Sequence, residues 1–153
     1  MDALLVTTLA PQAWQDVLDH CQHLFADADP RMRMALVPRH RRGADGVARS
    51  VVQRRCDPVS MLVWEHDGRA LRAKGGEFCG LDELRADLLF VGNDGAFDAV
   101  LAQDARHALG EMKRRITGGA IQLFVLRSKS DLRELGYEDF LEALGLPFLG
   151  ACR

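Results

Sequence analysis

The hydrophobic pattern at the start of the chain predicts a strand followed by a helix. Residues 3–8 are mostly apolar or β-branched, which favours a strand. Pro11 suits the first turn of a helix, and apolar residues recur at helical spacing over 12–25, on one stripe that includes Trp14. We expect this helix to end before Pro30, because proline cannot continue the hydrogen-bond ladder.

The period then changes to that of strands, which predicts an antiparallel meander. The expected strands are residues 32–36, 47–56, 60–65 and 69–73. His66-Asp67-Gly68 is typical of the hairpin turn between the last two of them. The polar, glycine-containing segment 41–46 is predicted to be the loop between the first two.

The second half of the chain alternates between strand and helix patterns. We predict a short helix at 81–85, a strand at 87–91, one long helix at 96–116, a strand at 120–126 and a helix at 130–146 that is interrupted at Gly136. A strand, helix and strand in succession predict a right-handed parallel crossover. The predicted fold class is therefore α+β, with an antiparallel meander and a strand-helix-strand unit in a mixed sheet, covered by three to four helices.

Composition and length place the chain among ordinary globular proteins. At 153 residues it has the size of a single domain, so we predict one α+β domain over 1–153. The hydrophobic fraction of 48% and the charged fraction of 27% exclude wholesale disorder. No apolar run approaches the length that spans a membrane, and the start of the chain lacks a basic leader, which predicts a cytoplasmic protein without a membrane partner. Arginine greatly outnumbers lysine, which is typical of a GC-rich bacterial genome.

Residues that could carry catalysis or bind a metal are scattered along the chain. His20, Cys21 and His23 lie close together, but a zinc site needs three or four ligands, and the spacing matches no closed site. Two cysteine–histidine pairs, Cys56 with His66 and Cys79 with His107, lie outside any recognisable nucleophile turn. We therefore predict free thiols and no cofactor, metal site or catalytic residue, with enzymatic activity left open.

One turn is placed where a ligand could bind. Gly92-Asn93-Asp94-Gly95 joins a predicted buried strand to the start of a helix, where free backbone amides favour an anion. A tight turn capped by Asn93 or Asp94 explains the same four residues, and no phosphate-loop signature accompanies them. The turn is thus a candidate site for a nucleotide or another small molecule.

Charge is segregated although the net charge is only −2. Residues 30–58 hold eight arginines against two acids, whereas residues 131–146 hold five acids against Arg133. The basic residues that we predict to contact a partner or an anion are Arg39, Arg41, Arg42, Arg54 and Arg55. The predicted acidic contact face comprises Glu134, Glu138, Asp139 and Glu142.

Two short stretches resemble known families. Residues 89–95, taken with Tyr137-Glu138-Asp139-Phe140-Leu141, are similar to signatures of the SUKH immunity-protein superfamily. Residues 121–148 resemble the last third of a response-regulator receiver domain. Each resemblance covers less than a third of the chain, so we assign the chain to no family.

Segregated charge favours a protein that acts by binding, because complementary patches steer and orient a partner. We expect a non-catalytic regulatory module, of the adaptor or toxin-neutralising type, that recognises a protein partner. One alternative is nucleic-acid or polyanion binding through the arginine-rich segment 31–55. The other is a small-molecule or nucleotide-binding enzyme that uses the turn at 92–95.

Overall fold

The computed structural model describes residues 10–39, 59–93 and 95–146. The strands predicted at 3–8 and 47–56 and the loop predicted at 41–46 lie outside these residues. Within them, the helices are α1 (Pro11–Cys21), α2 (Ala96–Leu101), α3 (Ala105–Thr117), α4 (Lys129–Leu135) and α5 (Glu138–Ala143). The strands are β1 (Arg33–Pro38), β2 (Val59–His66), β3 (Leu71–Phe78), β4 (Leu88–Gly92) and β5 (Ile121–Val125). Short 3₁₀ turns cover Gln22–Phe25 and Leu81–Glu83.

The five strands form one mixed sheet in the order β3-β2-β1-β4-β5. β1 and β4 are parallel neighbours, while the pairs β1–β2, β2–β3 and β4–β5 are antiparallel. The α+β class, the antiparallel meander and the mixed sheet are confirmed. Among the described strands, β3 and β5 form the two edges of the sheet.

The predicted long helix is in fact two helices, and this changes the direction of the following strand. α2 ends at Leu101, and α3 begins at Ala105 after a short connection. Because two helices reverse the chain once more than a single helix does, β5 returns antiparallel to β4. The predicted parallel crossover is therefore wrong. The described residues form five helices, three of which have seven or more residues, in agreement with the predicted layer of helices on a mixed sheet.

Aromatic side chains form the centre of the core between the helices and one face of the sheet. Trp14 of α1 packs against Trp64 of β2, with ring centroids 5.7 Å apart, and against Phe97 of α2 at 6.0 Å. Phe140 of α5 contacts Phe90 of β4 at 6.4 Å. The opposite face of the sheet has a smaller apolar cluster that includes Val37, Val63, Phe78, Leu89 and Val91. Both faces of the central strands are thus buried, as is usual for a parallel pair inside a sheet.

A buried hydrogen-bond network fixes α5 relative to the centre of the sheet. Asp87 is only 4% exposed and accepts hydrogen bonds from the Tyr137 hydroxyl at 2.6 Å and from the Arg33 backbone amide at 3.0 Å. The Arg127 guanidinium pairs with the other carboxylate oxygen at 3.0 Å. Burial and the nearby Asp87 raise the pKa of Tyr137, so its hydroxyl stays protonated and donates. The network joins β1, the residue before β4 and the segment after β5 to the start of α5.

Gly136 allows α4 and α5 to meet closely beside the chain that follows α1. Its φ of 94° is in the left-handed region, and a Cβ there would lie 2.6 Å from the carbonyl oxygen of Asp27. The amide of Asp29 donates to the carbonyl of the neighbouring Leu135 at 3.0 Å. This close approach explains the interruption that the sequence predicted at Gly136.

Candidate binding edge at strand β5

The two edges of the sheet differ in sequence. β3 carries Arg72, Lys74 and Glu77, all exposed, together with two glycines. β5 reads Ile-Gln-Leu-Phe-Val and has no charge, glycine or proline. Among the large hydrophobic residues that the structure describes, Val125 is the one that is exposed, at 53%. Charges on an edge strand normally prevent pairing with another chain, and β5 lacks them.

The outward backbone groups at the start of β3 already have partners. Ala73 donates its amide to the Gln15 side chain at 2.8 Å. Leu71 donates to the Gln22 side chain at 3.2 Å, and its carbonyl accepts from both glutamines at 3.2 Å. Two side chains of the α1 region therefore occupy the start of this edge. A further strand would have to displace them to pair there.

The register of β5 shows which of its backbone groups are directed away from the sheet. Asn93 donates to Ala120 at 2.8 Å and Leu126 donates to Asp87 at 2.9 Å, so β5 pairs with β4 through its even-numbered residues. The amides and carbonyls of Ile121, Leu123 and Val125 face the free edge. No described residue hydrogen-bonds to them. Among the described residues, a further strand would displace no hydrogen bond at this edge.

An apolar groove of about 610 Å³ lies along β5. All five residues of the strand line it, as do Ile116 at the end of α3 and Leu132 of α4. Leu141 of α5 and Leu146 complete its apolar wall, and Lys129 is its charged lining residue. We call this site the β5 groove. It places apolar pockets beside free backbone groups, the combination that strand-adding sites use.

The segments on either side of β5 are basic. Residues 112–130 contain five cations and no acid; we call these cations the basic flanks: Lys113, Arg114, Arg115, Arg127 and Lys129. Glu111 pairs with Arg115 at 2.8 Å and with Arg114 at 3.7 Å, and Asp87 pairs with Arg127. Two carboxylates thus face three guanidinium groups. The segments directly before and after β5 therefore carry more positive than negative charge, whereas α4 and α5, which wall the groove, carry the predicted acidic face.

Arg39 is the predicted contact residue that the described structure places at this edge. Its backbone amide donates to Gly92 at 2.6 Å, and its guanidinium reaches past β4 to hydrogen-bond the Gln122 side chain. It adds positive charge at the amino-terminal end of β5. The other predicted basic contacts, Arg41, Arg42, Arg54 and Arg55, lie outside the described residues.

The predicted acidic face lies on α4 and α5. Glu134, Asp139 and Glu142 are exposed, and Glu138 is half-buried at the start of α5. The remaining described residues form no ion pair with these four carboxylates. Their role as a contact face stays a prediction.

The turn at residues 92–95 is compact where it is described. A Cβ on Gly92 would lie 2.8 Å from the ring of Phe97, so the aromatic side chain fills the space beside the turn. Asn93 uses its backbone amide on Ala120, and its carbonyl accepts from Ala96 at 2.9 Å. Gly95 has a φ of 78°, a left-handed conformation suited to glycine. Asp94 lies outside the described residues, and the ligand hypothesis stays untested.

The candidate nucleophiles and metal ligands do not form a cluster in the part of the chain that is described. Burial raises the pKa of Cys21 to about 11, which keeps its thiol protonated at neutral pH. His107 is exposed and lies 3.9 Å from Asp104. No group of three His, Cys, Asp or Glu residues is arranged to hold a metal within the described ranges. Cys56 and Cys152 lie outside them.

Comparison with known proteins finds no matching family model, no matching curated protein and no matching solved structure. No relative or structural neighbour therefore assigns an activity to β5 or to any other described residue. None of the described helices is long and apolar enough to cross a membrane.

The sequence reasoning missed the β5 groove. It identified residues 120–126 as a strand and expected a parallel crossover into it. A crossover pattern does not tell whether the strand lies inside the sheet or at its edge, where the structure places β5 among the described strands. An available signal was the uncharged run from Ile121 to Leu126 between Arg115 and Arg127. An apolar strand with charges only in its flanks is typical of a central strand or of an edge that binds.

Proposed function

We propose that this protein is a non-catalytic binding module that adds an extended segment of a partner protein to the free edge of β5. The observation that carries the proposal is the contrast between the edges. β3 is charged and two glutamines occupy its start, whereas β5 is uncharged, has no strand beside it among the described residues and lies next to an apolar groove. Adaptor proteins and toxin-neutralising proteins are binding modules of this kind.

The chemistry of the edge supports affinity from two sources. A partner strand would form hydrogen bonds with the outward groups of Ile121, Leu123 and Val125, each contributing roughly 0.5–1.5 kcal/mol net. Its alternate side chains would enter the β5 groove, where burying a residue such as valine or leucine contributes roughly 1.5–3 kcal/mol. Several such contacts are needed, because association itself costs roughly 4–15 kcal/mol or more.

The buried polar groups support a structural rather than a chemical role for the centre of the fold. Asp87, Tyr137 and Arg127 hydrogen-bond one another, and Glu111 is held by Arg115. These groups have their partners inside the fold. The β5 groove, by contrast, is a concave apolar site in the described part of the chain whose strand edge has no described hydrogen-bond partner.

Peptide selection followed by amide exchange tests the proposal. Randomised short peptides displayed on phage are selected against the full chain, and the enriched peptides are synthesised. We expect bound peptides to slow hydrogen exchange at the amides of Ile121, Leu123 and Val125, because these amides would donate to the added strand. We also expect Val125→Pro to weaken binding at least about tenfold, since proline removes one of the donors.

The matched controls are Ala105→Pro, at the first residue of α3 where proline is tolerated, and Ala102→Lys, at an exposed residue after α2. Val125→Lys completes the set, because it blocks the edge by charge without removing the amide. Peptides that bind the Val125 variants as well as the unmodified chain, or a selection that enriches no peptide, would overturn the proposal.

A further inference from the structure

The basic flanks surround an edge that itself has no charge. Ile116, one turn after Lys113 on α3, lines the β5 groove, and the Lys113 side chain lies against the position of a Cβ on Gly145, next to the lining residue Leu146. Lys113 and Arg114 are exposed, and Arg115 and Arg127 have side chains 40% and 42% exposed. Positive charge therefore lies on both sides of the open strand.

We infer that the segment that binds β5 is acidic, with apolar residues at alternate positions and Asp or Glu beside them. This inference rests on the proposed function. The apolar positions match the period of side chains along a strand, since alternate residues of the added segment would face the groove. The carboxylates match the basic flanks, where two acids face three arginines.

The same charges disfavour a second copy of this chain as the occupant. Antiparallel pairing of β5 with β5 of another copy would place the residues after one strand beside those before the other. Arg127 and Lys129 of one copy would approach the end of α3 in its partner, where Lys113, Arg114 and Arg115 lie. Like charges brought together in this way oppose association.

An acidic segment is also favoured over a nucleic acid at this site. The β5 groove is lined almost entirely by apolar side chains, with Phe124 as its aromatic residue. Single-stranded nucleic acids instead bind through several aromatic stacking platforms along a basic groove. Apolar pockets beside free amides fit the backbone and side chains of a peptide.

Charge analysis of selected peptides tests the inference separately from the proposed function. Peptides that depend on the β5 edge are sequenced, and we expect excess Asp and Glu next to alternating apolar residues. Lys113→Glu should weaken binding of these peptides about tenfold, and raising the salt concentration from low to high should abolish most of the difference. Arg85→Glu, at an exposed residue before β4, is the matched control and should leave affinity unchanged.

Edge-dependent peptides without an acidic excess, or equal effects of Lys113→Glu and Arg85→Glu, would overturn the acidic partner while the proposed function stands. Peptides indifferent to Val125→Pro would instead overturn the proposed function. A duplex or single-stranded DNA oligonucleotide that displaces the peptides would overturn the inference in favour of a polyanion. Concentration-dependent dimers that Val125→Pro abolishes would overturn it in favour of a second copy.

Discussion

The two edges of the described sheet differ in what protects their backbone groups from pairing with another strand. β3 has charges within the strand, and Gln15 and Gln22 hydrogen-bond its outward backbone groups at Leu71 and Ala73. β5 has its charges before and after the strand, and its own residues are apolar. Charges inside a strand oppose any added strand, whereas charges in the flanks oppose some partners and attract others. The difference shows that charge placed within a strand and charge placed in its flanks have different consequences for pairing.

The largest expected effect is on the free energy of unfolding, at Gly136, which lies between the two helices that wall the β5 groove. Gly136→Val should destabilise the protein by about 3 kcal/mol or more, because the added Cβ meets the Asp27 carbonyl and the φ is left-handed. The same substitution in β3, Gly75→Val, would place a Cβ that has no atom within 4 Å. It should be neutral or stabilise by up to about 1 kcal/mol, since glycine weakens a strand interior.

Urea unfolding at equilibrium measures both changes. Similar unfolding free energies for Gly136→Val and Gly75→Val would show that the α4–α5 junction tolerates a side chain. The description of the groove wall as a close-packed element would then be wrong.

An intermediate effect is expected on self-association. Replacing Lys113 and Arg114 with glutamine should produce concentration-dependent dimers, because it removes repulsion between two β5 edges while the strand stays apolar. Adding Val125→Lys should restore the monomer, since it places a charge inside the edge. Sedimentation velocity measures the outcome.

The matched control replaces Arg85 and Arg106, both exposed and outside the basic flanks, with glutamine. Dimers in the control, or none in the Lys113 and Arg114 variant, would contradict the role assigned to charge beside β5.

The smallest effect should appear at the β3 edge in acid. Asp67 accepts hydrogen bonds from the amides of Ala70 and Arg69 and from Arg72, and these contacts lower its pKa. A carboxyl whose pKa is lowered in the folded state stabilises that state above its unfolded pKa of about 3.9 and loses this contribution as pH falls below it. The β2–β3 turn should therefore loosen below about pH 4.

Amide exchange at Arg69 and Ala70 across this pH range measures the effect, after correction for the intrinsic rate. Asp67→Asn should remove the dependence on pH, because an amide side chain does not titrate. Equal pH dependence in Asp67→Asn and in the unmodified chain would assign the loosening to another group.

Local patterns predicted most described elements with small errors at their ends. The apolar stripe with Trp14 identified α1, although its last turn is 3₁₀, and the turn at His66-Asp67-Gly68 identified the β2–β3 hairpin. The interruption at Gly136 was also correct. These features depend on residues near one another in the chain, such as a glycine that adopts positive φ.

Prediction failed where the outcome depended on how one element packs against another. Residues 96–116 have an apolar period that suits one helix, and the break after Leu101 occurs because two shorter helices pack against each other. That break decides the direction of β5. The candidate contacts have a different outcome: the structure describes Arg39 beside β5, whereas Arg41, Arg42, Arg54 and Arg55 lie outside the described residues, so all five stay predictions.

The amino-acid sequence by itself determined the α+β class, the meander and the separation of apolar strands from charged segments, because these follow from short-range periodicity and composition. Only the tertiary structure decided that β5 lies at an edge, that its odd-numbered residues face outward and that α3, α4 and α5 form a groove beside it. The physical reason is that a strand becomes an edge through the neighbours it lacks. No pattern within five residues contains that information.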